Sequence, residues 1–323
     1  MILKKINHKQ MLQPMCFFLT PAPQLNIPTN TKNYQMKILE LGFYFQDYVI
    51  VIAFMYEAYG IQTCNNIYLC HSKYPSCPGH EVVGIVEKMG KNVKKFNIGQ
   101  KVGCSPQRWM CQQCEQCLKG NNQLCSQNIE LYDDNNFGGY STHIQVPERM
   151  VFRIPDTFND AIGSPLLCAG ATVFAPLKRY SKPNDSCAVI GIGGLGHLAV
   201  QYAAKLGMTV TAFTTSINRQ KEIKQLGASK LSSSINLESL KSETGKYNIV
   251  INTLYIPDED VFKSHQRLTA PTGTYIQVGL PSSTVNLKLD HAYIILNQIR
   301  VAGSLYGSYS ETEVIQYFKL GNT

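Results

Sequence analysis

No stretch of this chain is long and apolar enough to cross a membrane as a helix, which takes about 20 such residues. The run Tyr48–Tyr56 (YVIVIAFMY) falls far short of that length and reads instead as a buried strand. No secretory leader is expected here, because Cys16-Phe17-Phe18-Leu19 is brief for an apolar core and Pro21 follows closely. Internal repeats and low-complexity tracts are absent too, which excludes solenoids and fibrous arrays. Positive charge is present but not gathered. The formal charge of +8 is scattered in pairs such as Lys4-Lys5 and Lys94-Lys95, with no basic stripe of the kind a nucleic-acid surface needs. The expected partners are therefore small molecules, with neither nucleic acid nor membrane among them.

What remains is the composition of a globular protein, with 44% hydrophobic and 16% charged residues. At 323 residues the chain suits two domains. Residues 1–36 carry Pro14, Pro21, Pro23 and Pro28 without a clear period and are expected to form an irregular extension. From 37 to 160 short β-type runs (Val82–Lys88, Gln100–Cys104, Tyr140–Val146, Val151–Ile154) alternate with glycine or proline, the pattern of an all-β, barrel-like domain. From 161 to 302 the rhythm becomes strand–helix: strands at Ala188–Gly191, Thr209–Phe213, Ile249–Leu254 and Thr274–Val278, with helices from Leu195 to Leu206 and from Arg219 to Leu226. That alternation predicts an α/β, doubly wound parallel sheet.

Eleven cysteines are numerous, and their spacing decides their meaning. Cys111-x2-Cys114-x2-Cys117-x7-Cys125 brings four soft thiolates together, the set zinc takes in a closed tetrahedral shell. Such a shell leaves no position for substrate, so this zinc is structural. Thiolate metal sites persist in reducing compartments, which points to the cytoplasm.

Gly191-Ile192-Gly193-Gly194-Leu195-Gly196 follows a strand and opens a helix. In that context the glycines let backbone approach a pyrophosphate, which sits on the helix N-terminus. At the end of the next strand, an NAD enzyme places Asp or Glu against the ribose hydroxyl. Here Thr214-Thr215-Ser216-Ile217-Asn218-Arg219 holds no acid before Glu222. Hydroxyls with a guanidinium suit a 2′-phosphate, so NADP(H) is the expected cofactor.

Gly79-His80-Glu81-x2-Gly84-x5-Gly90-x2-Val93 starts at a turn and enters a strand, and Pro165-Leu166-Leu167-Cys168-Ala169-Gly170-Ala171-Thr172 offers a cysteine near the domain junction. With the cysteine loop, GGYSTHIQVPERMVFRIP (138–155) and the glycine loop, these motifs make residues 37–320 resemble the zinc-dependent medium-chain alcohol dehydrogenases, in particular the cinnamyl alcohol dehydrogenase-like group.

The resemblance implies a GroES-like catalytic domain before the Rossmann domain, with 303–323 returning to the catalytic domain. It implies a catalytic zinc on His80, Cys168 and an earlier cysteine, with Glu81 as an adjacent or alternate ligand. That metal acts as a Lewis acid on a carbonyl or alkoxide. Thr172, Thr253, Gly279 and Ser304 match cofactor-contacting positions, and Arg219 matches a basic one. A homodimer through the sheet edge near Gln298–Leu305 is implied as well.

Two departures stand out. Aligned on Gly60-Ile61, the first zinc ligand falls on Gln62. Cys64 comes two residues later and is taken as the ligand, while Cys70 lies too near the GHE motif and Cys77 reads as a small buried hydrophobe. The hydroxyl that relays the proton would be Asn66, which does no acid–base work. Family members also continue past the position of Thr323. The expected function is hydride transfer between NADPH and an alcohol/aldehyde pair. The alternative is a relative that keeps the fold, NADP(H) and the structural zinc without a complete catalytic centre.

Overall fold

The computed structural model describes residues 48–55, 77–131, 138–158, 160–255, 258–280 and 288–315. They fall into two compact units that divide between Leu167 and Cys168. Gln62, Cys64, Asn66 and Cys70 lie outside the described residues.

The first unit is built of β1 (Tyr48–Met55), β2 (Val82–Met89), β3 (Lys101–Cys104), β4 (Gln107–Trp109), β5 (Ile129–Glu130), β6 (His143–Pro147) and β7 (Val151–Arg153). Five of them pair antiparallel in the order β6-β1-β2-β3-β7, and β4 pairs with β5 in a separate ribbon. β2 occupies the middle of the five, and Val82, Val83 and Val86 are fully buried there. Val82 and Val86 pack with Phe96, Val102, Leu131, Ile144, Val146, Met150 and Val151 in one core. The run 48–56 is indeed a strand over 48–55, and the expected Tyr140–Val146 strand is shorter and later, because 138–140 bond to the 77–79 turn instead.

The second unit holds β8 (Ser186–Ile190), β9 (Thr209–Thr214), β10 (Lys230–Ser233), β11 (Tyr247–Asn252), β12 (Thr269–Gln277) and β13 (Arg300–Gly303). All pair parallel in the order β10-β9-β8-β11-β12-β13. By position in the sheet this is 3-2-1-4-5-6, the doubly wound order with its switch point between β8 and β11. A central parallel strand is covered on both faces and must be apolar throughout. β8 meets that demand, with Cys187, Ala188, Val189 and Ile190 all fully buried. The edge strand β10 (KLSS) is half exposed, and its polar sequence hides it from a hydrophobic-pattern reading.

The helix Gly196–Lys205 lays Leu198, Ala199, Tyr202 and Ala203 on the sheet, one face at helical spacing. Tyr202 meets Phe174 of the helix Ala171–Tyr180 edge to face at 5.3 Å. The helix Tyr309–Ile315 is tied to that same helix by Arg179, whose Nε and Nη2 donate to Glu311 at 2.8 and 2.7 Å.

His265, on the helix Glu259–Arg267, is wholly buried. Its Nε2 donates to the Ser234 carbonyl at 2.7 Å, and Nδ1 has no partner among the described residues. Burial pushes its pKa down to about 4. The unfolded chain takes up a proton there near pH 6.5, so stability is complete above that value and falls as pH drops toward 4. Urea unfolding should show a loss of roughly 2 kcal/mol from this site between pH 7 and pH 5. The variant His265→Gln should have a flatter slope over that window; an unchanged slope would refute the assignment.

Candidate functional site

The carboxyl ends of the parallel strands gather one set of the sequence-picked residues. After β8, Gly191 turns with φ +84°, a left-handed conformation that favours glycine. A Cβ on Gly191 would strike the Leu254 side chain, and one on Gly196 would collide with the Gly191 carbonyl. These two glycines are therefore needed for packing. Gly193 and Gly194 are different: both are exposed, and a Cβ on either would meet nothing within 4 Å. They leave open backbone ahead of the first turn of a ten-residue helix, where orphan amides and the helix dipole favour an anion.

Around that opening, Thr253 Oγ1 lies 2.9 Å from the Ile190 and the Gly191 carbonyl oxygens, tying the end of β11 to the end of β8. Gly279 follows β12 with its amide donating to the Asn252 carbonyl at 3.0 Å, and a Cβ there would collide with Leu254 backbone. Ser304 follows β13, its amide donating to Gln277 O at 3.2 Å. After β9, Thr214 is buried and its Oγ1 accepts from the Ser216 amide at 3.0 Å, while Thr215 is exposed and Ser216 half-buried. Arg219 reaches back from that turn: its Nη1 donates to the Ile192 carbonyl at 3.1 Å. Ile192 itself is buried and Leu195 half-buried beneath the loop. One partner escaped the sequence reading. Glu222 accepts from Arg219 Nε at 2.9 Å and Nη2 at 2.5 Å, a pairing whose only sequence signal was the spacing of three residues.

In the first unit, Gly79 adopts φ +104°, and a Cβ there would come within 2.8 Å of the Tyr140 amide nitrogen. Amides of Gly138, Gly139 and Tyr140 donate to the carbonyls of Cys77, Gly79 and Pro78 at 2.7, 2.8 and 2.9 Å. This clamp fixes the turn that presents His80 and Glu81 at the start of β2, and the Ser164 hydroxyl holds the Glu81 carbonyl. Burial lowers the His80 pKa and so favours the neutral imidazole, the form that binds a metal. Cys77 is buried, as a small hydrophobe would be. Among the described residues Cys168 is the first of the second unit, and it sits in the middle of a π-helical turn, Leu166–Gly170. Thr172 Oγ1 donates to its carbonyl at 2.8 Å, so this hydroxyl is engaged in shaping the turn.

The four-cysteine lobe is also in the first unit. The sulfurs of Cys111, Cys114, Cys117 and Cys125 all lie within 4.8 Å of one another, and none is in a disulfide. Cys114 and Cys125 sulfurs are 3.9 Å apart. A tetrahedron with metal–sulfur bonds of about 2.3 Å has edges of about 3.8 Å, so the cage is of zinc size. Backbone amides aim inward: Cys114 N donates to Cys111 Sγ at 3.2 Å, and Cys111 N and Gln127 N to Cys125 Sγ at 3.3 Å each. Amide donors from Gln113 and Cys114 lower the Cys111 pKa, and those from Cys117 and Ser126 lower that of Cys114. Burial and the neighbouring Cys125 sulfur raise Cys117. Four thiolates this close repel one another, and a divalent cation removes the conflict.

Polar groups invisible to motif reading brace the lobe. Gln107 Nε2 donates to the Asn122 carbonyl at 2.7 Å and Asn128 Oδ1 at 2.8 Å, and Asn122 Nδ2 returns a bond to Gln107 Oε1 at 2.6 Å. Arg149 stacks 3.7 Å from the Trp109 ring centroid.

Comparison with known proteins agrees with both units. Residues 46–156 match the family model of the alcohol dehydrogenase GroES-like domain, and residues 194–320 that of the zinc-binding dehydrogenases. A probable cinnamyl alcohol dehydrogenase from Oryza sativa subsp. japonica is 36% identical over 256 residues, covering 76% of this chain and 71% of the relative. Among solved structures, a cinnamyl alcohol dehydrogenase from Sorghum bicolor superposes with TM-score 0.78 at 29% identity, over 85% of this chain and 80% of its own. The CAD from Helicobacter pylori complexed with NADP(H) gives TM-score 0.73 at 27% identity, with coverage of 85% and 80%.

The glycines of the loop should separate by role on substitution. Gly196→Ala should lower the unfolding free energy by about 1–3 kcal/mol, since its methyl overlaps the Gly191 carbonyl. Gly193→Ala should leave stability within about 0.5 kcal/mol of wild type yet weaken dinucleotide binding about tenfold or more. Urea titration with fluorescence-detected binding reads both, and equal stability losses would contradict the division.

Proposed function

The chain belongs to the zinc-dependent medium-chain alcohol dehydrogenases, in the cinnamyl alcohol dehydrogenase-like group, and from that premise we propose that it is an NADP(H)-dependent aldehyde reductase carrying a catalytic and a structural zinc. The observation that carries the cofactor choice is Arg219. Its guanidinium bridges the turn after β9 to the Ile192 carbonyl after β8, where an NAD enzyme would set an acid against the ribose. The 2′-phosphate would be held by Arg219 with Thr215 and Ser216, Thr214 supporting their turn through the Ser216 amide. The pyrophosphate would lie on Gly193 and Gly194 at the helix N-terminus. Thr172, Thr253, Gly279 and Ser304 complete the proposed cofactor set, which the NADP(H) complex of the Helicobacter relative supports.

His80 and Cys168 are proposed as ligands of the catalytic zinc, with Cys64 as the third and Glu81 adjacent or alternate. A neutral imidazole and a thiolate are the donors such a site uses. When bound, zinc supplies Lewis acidity to a carbonyl oxygen. The chain's own contribution is positional: the 77–79/138–140 clamp fixes the turn that carries His80, and the glycine loop orients the dinucleotide for hydride transfer. Cys111, Cys114, Cys117 and Cys125 hold the second zinc away from chemistry, because their shell has no open position. In an NADPH-rich cytosol, the compartment proposed here, reduction of a small aldehyde to its alcohol is the favoured direction.

Gln62 and Asn66 favour a second reading, in which the catalytic centre is incomplete and only the structural zinc and NADP(H) are bound. Metal content separates the two: the reductase should carry a pair of zinc ions per chain, the incomplete relative one. Under the reductase reading, His80→Ala should lose one metal equivalent while the cysteine lobe keeps the other. Oxidation of NADPH with cinnamaldehyde or an aliphatic aldehyde should then fall by at least about a hundredfold. A wild type with one zinc and no turnover across a broad aldehyde panel would leave the second reading standing.

A further inference from the structure

We propose that Glu222 is a positioning residue for the adenosine 2′-phosphate, acting through Arg219 alone. The inference rests on the NADP(H) reading above and assigns that subsite a second member.

A guanidinium has five N–H groups. In this structure Nε and one N–H of Nη2 donate to the two carboxylate oxygens of Glu222 at 2.9 and 2.5 Å, and one N–H of Nη1 donates to the Ile192 carbonyl at 3.1 Å. One N–H on Nη1 and one on Nη2 take no part in these bonds, which leaves two charged donors for phosphate oxygens. The side chain is thus held on two sides, by the glycine loop and by the helix Gln220–Gln225 that carries Glu222. Long side chains such as arginine lose much rotamer freedom when they bind, and holding one in place beforehand removes that cost from the ligand's affinity.

Two other roles for Glu222 are less consistent with these contacts. An exposed ion pair three residues apart on a helix surface contributes little to stability, so fold maintenance is a weak reason for it. Direct capture of the ribose hydroxyls, the task of an acid in NAD enzymes, would compete with a carboxylate whose two oxygens both accept from Arg219. Those same bonds lower the Glu222 pKa and raise that of Arg219, so both groups stay charged.

The test is a binding cycle on the full-length protein. Dissociation constants for NADPH and NADH, read by the fluorescence of the reduced nicotinamide, are compared for wild type, Glu222→Ala, Glu222→Gln, Arg219→Ala and the double variant. Glu222→Ala should weaken NADPH about threefold to tenfold and leave NADH unchanged, with Glu222→Gln losing less. In the Arg219→Ala background, removing Glu222 should have no further effect. NADPH binding that is unchanged or tighter in Glu222→Ala would overturn the proposal, as would an equal loss for NADH, which would place Glu222 on the ribose. If Arg219→Ala weakens NADPH no more than NADH, the NADP(H) reading itself falls and Glu222 falls with it.

Discussion

Much of the second unit depends on one close crossing of backbone. The Gly191 carbonyl after β8 lies where any side chain on Gly196 would have to be, so the helix Gly196–Lys205 can start there only with glycine at both positions. That approach sets the helix N-terminus at the switch point of the sheet, between the ends of β8 and β11. Thr253 locks the same corner by reaching both the Ile190 and Gly191 carbonyls. The apolar run of β8 and the helical face of Leu198, Ala199 and Tyr202 supply the burial energy. The glycines decide where the polar end of that packed pair emerges.

The cysteine lobe solves a different problem. Its residues 107–130 bury Gln107, Asn122, Gln123 and Cys125 and contribute almost no aliphatic side chains to a core. Hydrophobic burial cannot hold such a segment, and its backbone bends through Gln112 with φ 62° and Gly120 with φ 82°. Amides directed at sulfur and an amide–amide clasp between Gln107 and Asn122 shape it, but close thiolates still repel. A metal of zinc size would convert that repulsion into the lobe's central attraction. Here a binding site takes over the work of a core.

Much of this architecture was legible in the sequence, because the signals are local. Four cysteines at short intervals, a glycine cluster between a strand and a helix, and an alternation of strands and helices each have a direct physical cause. What escaped reading was set by partners distant in sequence. β10 is polar because it forms a sheet edge, so no hydrophobic pattern marks it. The β4–β5 ribbon is defined by pairing between Gln107 and Glu130 across the cysteine loop. Gly138 belongs to the His80 turn through bonds to Cys77, 61 positions away, which no periodicity could reveal. Glu222 was noted only as an acid too late in the sequence to bind ribose; its pairing with Arg219 appears only when the side chains are placed.

That pairing bears on the choice of cofactor. Hydroxyls at the end of β9 are neutral, and by themselves they would accept a ribose with or without its phosphate. On the NADP(H) proposal Arg219 would break the tie, since a cation held in place favours the dianionic ligand by Coulomb attraction and by donor geometry together. Yet Arg219 and Glu222 sum to zero charge, so the net charge of this pair does not by itself favour a phosphate. Recognition then rests less on net charge than on the orientation of two remaining N–H groups. A lysine at the same position would supply charge without the fork and could not be tethered to Ile192 and Glu222 while still offering a matched pair of donors. On the NADP(H) proposal, the specificity of this corner would be geometric first, and electrostatic through that geometry.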